Sequence, residues 1–218
     1  MSPTPTERRA RLAARLHAWT GGALCVFVVA HLSLVSSALQ GPRRFADLAR
    51  GIHSSPLLAP LELGLVWGPL AVHAGLGLAR LRGGFPDVRR DTSPAAWRLL
   101  LQRVTAPLAL AFIAYHGVTL RLPLLLGRAA PEDLYVTLAA RLSSTGPAGI
   151  PTEAAAYALG LVAVVAHLVA GVRTRLEQGG APRRPAIRRV ASAVVLLVGV
   201  VLVALGLAVV THFAGGAY

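Results

Sequence analysis

The sequence predicts an all-α membrane protein with five transmembrane helices. Its 218 residues are 55% hydrophobic and only 14% charged, and their mean hydropathy of +0.61 lies outside the range of an ordinary soluble domain. Five apolar runs approach the ~20 residues needed to cross a hydrocarbon core of ~30 Å. They lie at about 17–39, 57–80, 99–121, 153–174 and 189–213.

The apolar runs follow one another without room for a separate soluble domain. The first run contains GALCVFVVAHLSLV, and it is too long, and lacks the cleavage site, for a removable secretory signal. The longest connections, at about 81–98 and 122–152, are short and punctuated by proline and glycine. Residues 1–218 are therefore predicted to form a single transmembrane domain. Cys25 is the only cysteine, so no disulfide is expected within the chain.

The arginines predict the orientation of the chain. All 22 basic residues are arginine, and the formal net charge is +13. Sixteen lie in the amino-terminal segment and in the second and fourth connections, while the alternate connections hold Arg43, Arg44, Arg50, Arg121, Arg128 and Arg141. The positive-inside rule then places the amino terminus in the cytoplasm and the carboxyl terminus outside. This explains the charge better than nucleic-acid binding, and the basic segments suit an acidic partner surface or anionic lipid headgroups.

An internal repeat relates helices 1 and 3. The segments HAWTGGALCVFVVAH, at 17–31, and QRVTAPLALAFIAYH, at 102–116, each have a polar residue, a threonine three positions later and a histidine fourteen positions later. Helices 2 and 4 match in a similar way, because glycine follows His73 and His167 by four residues in both. The repeat predicts histidines at matching depths in alternate helices.

Four of the seven histidines lie inside apolar runs, one on each of helices 1 to 4: His31, His73, His116 and His167. A lone histidine of this kind is more often hydrogen-bonded between helices. A proton relay would include carboxylates, which are absent from the middle of all five runs. Because helices 1 and 3 run outward and helices 2 and 4 inward, His31 and His116 fall in the outer half, and His73 and His167 in the inner half.

Two imidazoles from facing helices can ligate a heme iron inside a helical bundle. Helices 1 to 4 are therefore predicted to surround two stacked hemes, with the four histidines as axial iron ligands. The other ring nitrogen of each histidine should donate to a carbonyl or hydroxyl one turn away. Gly77 and Gly171 would leave room for a porphyrin.

The sequence does not decide the roles of four further residues. Two of them have two interpretations each. His17 either meets the propionates of the inner heme or lies at a solvated helix end. Glu62 is either a helix N-terminal charge or a proton donor and acceptor for a quinone near the outer heme. His53 and His212 break the pattern and are interpreted mainly as interfacial residues.

On these residues the chain resembles the five-helix, diheme cytochrome b subunits of bacterial succinate:quinone oxidoreductases, which include succinate dehydrogenases and fumarate reductases. The most specific segments are RLHAWTGGALCVFVVAHL, LELGLVWGPLAVHAG, LQRVTAPLALAFIAYH and YALGLVAVVAHLVAG, while helix 5 and the outer connections match less well. The resemblance implies that His73 and His167 ligate the proximal heme, and His31 and His116 the distal heme.

The resemblance also implies roles for other residues. His17, Gln102 and Thr105 would contact a heme edge, and Glu62 would lie near a distal quinone site. Some quinol:fumarate reductases have a glutamate two residues before the helix 4 histidine that moves protons across the membrane. Here that residue is Val165, so such a proton path is not expected.

The function implied is that of a membrane anchor and electron-transfer subunit in the bacterial cytoplasmic membrane. Its partners would be a flavoprotein subunit, an iron–sulfur subunit, membrane lipid and a quinone, with menaquinone expected. The chain would not act on the dicarboxylate by itself, but it would contribute the quinone site. The alternatives are a diheme cytochrome b of a hydrogenase or formate dehydrogenase, and a small transporter without heme.

Overall fold

The structure, a computed structural model, describes residues 4–146, 149–178 and 184–216, and these ranges contain helices and no β-strand. Arg183, one of the arginines assigned to the fourth connection, lies outside them. The α-helices are α1 (Pro5–Val35), α2 (Pro42–His53), α3 (Leu58–Glu62), α4 (Gly68–Leu81), α5 (Pro94–His116), α6 (Leu122–Leu125), α7 (Leu134–Ser143), α8 (Thr152–Gln178) and α9 (Pro185–Ala214).

Five helical segments are long and apolar enough to cross a membrane, which confirms the predicted number. These spans, numbered 1 to 5, are Pro5–Gln40, Leu58–Leu81, Pro94–Leu125, Thr152–Glu177 and Pro185–Ala214. The end of the bundle where span 1 begins is called the arginine-rich end, and the end where span 1 finishes is called the distal end.

Span 1 begins twelve residues before the predicted boundary. Thr4 caps α1: its hydroxyl accepts from the Glu7 amide at 3.3 Å, and the Glu7 carboxylate accepts from the Thr4 amide at 2.9 Å. Pro5 occupies the first helical turn, where its missing N–H costs nothing. The arginine-bearing start of α1 therefore extends the helix by ~18 Å beyond the apolar run, which hydropathy alone does not detect.

Two short helices in the connections at the distal end were missed by the sequence prediction. On α2, Phe45 and Ala49 are buried four residues apart, and on α7, Tyr135 and Leu142 are buried. Of these residues, Phe45, Tyr135 and Leu142 belong with Phe213 of α9 to the larger of the buried clusters described. These helices are shorter than a membrane span, so a search for apolar runs of ~20 residues cannot find them.

Small residues let three of the spans pack closely. A Cβ at Gly160 of α8 would overlap the Phe112 ring of α5. On α9, a Cβ at Gly199 would meet Val169, and one at Gly206 would meet Leu161. Close backbone approach of this kind is typical of helix contacts in membranes. Span 4 thus packs closely against both span 3 and span 5.

Spans 2 and 3 each contain one π-helical turn, at Leu63–Trp67 and Gly117–Arg121. The first follows Glu62 directly, and the second follows His116 directly. A proline comes soon after each turn, at Pro69 and Pro123, and its missing N–H interrupts the regular α-helical ladder. π-turns inside α-helices are frequently found at functional sites. Both turns lie toward the distal end, beside the outer histidines.

Candidate functional site

The proximal pair is formed by His73 of α4 and His167 of α8. Their ring centroids are 6.1 Å apart and their planes are nearly perpendicular, at 88°. The Nδ1 atom of His73 lies 3.0 Å from the His17 carbonyl oxygen, and that of His167 lies 3.3 Å from the Gln102 carbonyl oxygen. A carbonyl can only accept, so both Nδ1–H groups donate. The Nε2 atom of each ring is left unprotonated and available as a ligand.

The internal repeat explains why these two contacts are alike. Thr20, three residues after His17, places its Oγ1 3.5 Å from His73 Nδ1, and Thr105, three residues after Gln102, places its Oγ1 3.4 Å from His167 Nδ1. Each hydroxyl donates to a backbone carbonyl oxygen of its own helix: Thr20 to that of Leu16 at 2.7 Å, and Thr105 to that of Leu101 at 2.6 Å.

The two halves of the repeat thus perform the same task. In each half, the first helix presents a carbonyl and a hydroxyl to the histidine of the next membrane-spanning helix. The sequence suggested acceptors one turn away from each histidine, but the structure places these acceptors on the neighbouring helix. Thr20 is absent from the predicted site residues, although its alignment with Thr105 in the repeat was the signal that points to it.

The distal pair is formed by His31 of α1 and His116 of α5. Their ring centroids are 5.8 Å apart and the angle between the planes is 83°. Aromatic rings surround them: Phe27 lies 5.4 Å from His31, while Phe112 and Tyr157 lie 5.7 and 5.8 Å from His116. Among the described residues, the buried His116 Nδ1 has no hydrogen-bond partner. A buried polar atom of this kind requires an explanation, such as a bound group.

Both pairs have dimensions that suit a metal between two imidazoles. Metal–imidazole bonds of ~2 Å on either side of one ion would separate the ring centroids by ~6 Å. Each pair supplies only two ligands, and the described residues contain no group of three or more His, Cys, Asp or Glu side chains that could hold an ion. The donor set therefore fits a metal whose remaining ligands come from a planar macrocycle such as heme.

His17 stacks on His73. Their ring centroids are 4.0 Å apart with planes inclined by 9°, and His17 Nδ1 lies 3.2 Å from the His73 carbonyl oxygen. The two residues thus exchange ring-to-carbonyl hydrogen bonds in both directions. A solvated helix end does not describe this position, because the His17 ring is half-buried against span 2.

The glycines near the proximal pair differ in how closely a neighbouring side chain approaches them. A Cβ at Gly77 would lie 3.5 Å from the His17 ring, and one at Gly171 would lie 3.6 Å from the side-chain Nε2 atom of Gln102. Both are ordinary contacts. The tight position is Gly21 of α1, where a Cβ would lie 2.8 Å from His73 Cε1. Gly21 was not among the predicted site residues.

Gly21→Ala should displace the His73 ring and disturb the proximal site alone. The added methyl group and the ring cannot occupy their present positions together. The matched control is Gly22→Ala, because a Cβ at Gly22 has no neighbour within 4 Å. We expect the visible spectrum and redox titration of the purified Gly21→Ala protein to change in one component, and those of Gly22→Ala to stay as in the wild type. Equal changes in both variants would contradict this role.

Glu62 forms a two-pronged ion pair with Arg121. The Arg121 Nε atom lies 2.9 and 3.0 Å from the two carboxylate oxygens, and Nη2 lies 2.6 Å from Oε2. Both side chains are about four-fifths buried, at 21% and 17% exposure. The ion pair links the two π-turns: Glu62 directly precedes the turn in span 2, and Arg121 is the last residue of the turn in span 3. The sequence placed Arg121 only among the arginines of a connection and gave no signal of this contact.

A cavity of about 380 Å³ opens beside this ion pair at the distal end. Its polar lining includes His53, Ser55 and Arg121, and its apolar lining includes Leu58 and Leu124. His53 therefore borders a cavity at this end of the bundle. His212, the other unassigned histidine, is 2.9 Å from the Tyr135 hydroxyl through its Nε2 atom and helps to fasten α9 to α7.

A second polar cluster ties α7 to spans 3 and 4. Arg141 Nε lies 2.7 Å from Glu153 Oε1, Arg141 Nη2 lies 2.9 Å from the Tyr115 hydroxyl, and that hydroxyl donates to Glu153 at 2.9 Å. Burial by itself would lower the pKa of Arg141, but its hydrogen bond to the Glu153 carboxylate contributes to a net rise above its ordinary value. Arg141 therefore stays charged at any physiological pH.

No protein-family model matches the sequence. The chain is 26% identical, over 205 residues, to the succinate dehydrogenase cytochrome b558 subunit of Bacillus subtilis (strain 168). The alignment covers 91% of this chain and 95% of that protein. The similarity to this succinate dehydrogenase cytochrome b subunit therefore extends over nearly the full length of both chains.

Proposed function

We propose that this chain is the membrane anchor and electron-transfer subunit of a succinate dehydrogenase or fumarate reductase complex and that it binds two b-type hemes. The observation that carries the proposal is the presence of two perpendicular histidine pairs at two levels of one bundle. The similarity to a succinate dehydrogenase cytochrome b subunit favours this function over that of a hydrogenase or formate dehydrogenase cytochrome, and over that of a transporter without heme.

In this proposal, His73 and His167 hold the proximal heme, and His31 and His116 hold the distal heme. Heme held by these histidines would supply one-electron transfer. The His17 and Gln102 carbonyls fix the proximal rings with Nε2 free. The side chains of His17, Gln102 and Thr105 stand at the proximal site as heme-edge contacts, and the aromatic rings beside His31 and His116 exclude water from the distal site.

The quinone site of this proposal is the cavity at the distal end. A quinone has an apolar ring with two carbonyl oxygens, and the cavity combines an apolar lining with the Arg121 guanidinium. Glu62 would donate and accept the protons of quinone chemistry, while Arg121 holds its carboxylate in place. Menaquinone remains the expected substrate. Arg121 lies five residues after His116, or ~7.5 Å along the helix axis, so cavity and distal pair are neighbours.

The chain is proposed to lie in the bacterial cytoplasmic membrane with its arginine-rich end facing the cytoplasm. The flavoprotein and iron–sulfur subunits would bind at this end. Val165 is 2% exposed and packs with Leu161 of α8 and Leu202 of α9. Val165 thus lies in an apolar cluster between spans 4 and 5 and supplies no carboxylate to carry a proton. The proposal therefore includes no proton path across the membrane at this residue.

Purification of the tagged full-length chain from its own membranes tests the proposal. We expect it to bring down a flavoprotein and an iron–sulfur protein, with succinate able to reduce the b-type absorption of the complex. Co-purification with hydrogenase or formate dehydrogenase subunits would contradict the proposed complex. Purified protein without any b-type absorption would contradict the heme sites themselves.

A further inference from the structure

A separate pocket lies between α8 and α9 at the arginine-rich end, away from both histidine pairs. Its volume is about 330 Å³, and it is lined by Arg173, Glu177, Arg188, Arg189, Ser192, Ala193 and Leu196. We propose that this pocket binds the phosphate headgroup of an anionic glycerophospholipid, with an acyl chain lying along α9. The proposal does not depend on heme or on the complex to which the chain belongs.

The polar part of the pocket presents unneutralised guanidinium groups. Its carboxylate, Glu177, forms an ion pair with Arg98 of α5. In the described part of the chain, Arg173, Arg188 and Arg189 have no ion pair with a carboxylate. The Arg173 Nε atom is buried and has no hydrogen-bond partner among the described residues. Guanidinium groups in this state match the several acceptor oxygens of a phosphate group.

Ser192 adds a hydroxyl at the next level of the pocket. It lies three and four residues after Arg189 and Arg188, on the same face of α9. The donors therefore descend along the helix from the end of the bundle toward the apolar part of the span. A headgroup that enters the pocket from the lipid side can contact both the guanidinium groups and this hydroxyl.

The apolar part of the pocket distinguishes a lipid from a free phosphate or a soluble partner protein. Ala193 and Leu196 form its lower wall, one and two turns beyond the arginines. Exposed side chains continue this surface along the same membrane-spanning helix: Leu196, Leu197, Val200 and Val201 are 42 to 66% exposed. An acyl chain would cover such a strip. Basic pockets between transmembrane helices at the cytoplasmic side are typical sites for anionic lipid headgroups.

The test uses the purified full-length protein in nanodiscs made of phosphatidylglycerol and phosphatidylcholine, with retained lipid identified by native mass spectrometry. Arg188→Gln combined with Arg189→Gln should reduce phosphatidylglycerol retention roughly 25-fold, at about fivefold for each charge near the surface. The matched control is Arg82→Gln combined with Arg89→Gln, which removes two exposed arginines from the same end of the bundle. The control should retain phosphatidylglycerol as the wild type does.

Three outcomes would overturn the proposal. An equal loss in the control would mean that bulk positive charge, not the pocket, attracts the lipid. Displacement of phosphatidylglycerol by inorganic phosphate or glycerol phosphate at equal concentration would mean that the acyl chain contributes nothing. Unchanged lipid retention in the Arg188 and Arg189 variant, together with lost binding of partner subunits, would mean that the pocket belongs to a protein interface.

Discussion

Replacing His73 or His167 with alanine should remove one b-type heme and leave the other in place, so that heme content falls to about half. His31→Ala and His116→Ala should also halve the content, but through loss of the other heme. The physical reason is that, in the proposed function, each pair would share one metal position across ~6 Å, while the two pairs lie at different levels of the bundle. Pyridine hemochrome assays and redox titration of the purified variants measure the heme content and identify the remaining component.

The matched control for this series is His212→Gln. His212 is also a histidine at a helix–helix contact, but its partner is the Tyr135 hydroxyl and it belongs to neither pair. This variant should keep the wild-type heme content. Loss of the same heme from His31→Ala and His73→Ala would contradict the pairing, and restoration of the missing heme by added imidazole would support direct ligation by the removed ring.

Glu62→Gln should lower quinone-linked turnover by about 10²-fold while both hemes remain bound, because general acid–base groups contribute at least this much. The amide keeps nearly the size of the carboxylate and can still accept from Arg121, so the local packing should survive. Succinate:quinone reductase activity measures the loss. Reduction of an artificial electron acceptor by succinate measures the dicarboxylate chemistry, which the variant should retain.

Glu132→Gln is the control for this second series, because Glu132 is an exposed carboxylate in the connection beside α7. It should leave quinone turnover unchanged. Arg121→Gln separates a proton-transfer role of Glu62 from a purely structural one. If Glu62 only anchors Arg121, the two variants should have the same turnover and pH profile. A proton-transfer role predicts that Glu62→Gln lowers kcat, whereas Arg121→Gln mainly raises the KM for quinone and alters the pH profile.

The sequence was sufficient to predict the number of membrane spans because length and hydropathy directly report burial in lipid. It also predicted which histidines lie together, since alternating helix directions and the repeat determine their depths. His31 is beside His116 and His73 is beside His167 in the structure. Their assignment as heme ligands remains a prediction that the experiments above address.

Other parts of the site depend on contacts between distant residues and carried no sequence signal of their own. Glu62 and Arg121 are 59 positions apart and meet beside two π-turns. Local composition indicates neither the turns nor the pairing. Likewise, the inner heme was one of two interpretations that the sequence left open for His17, and its stacking on His73 depends on how α1 and α4 approach each other at Gly21.

The most direct test of the central claim is the heme content of the purified wild-type chain, measured by pyridine hemochrome absorption against protein concentration and followed by redox titration. The two histidine pairs predict two b-type hemes per chain and two redox components. One heme per chain would contradict the two-site account, and a protein that binds none while its five spans remain folded would contradict the proposed function as a whole.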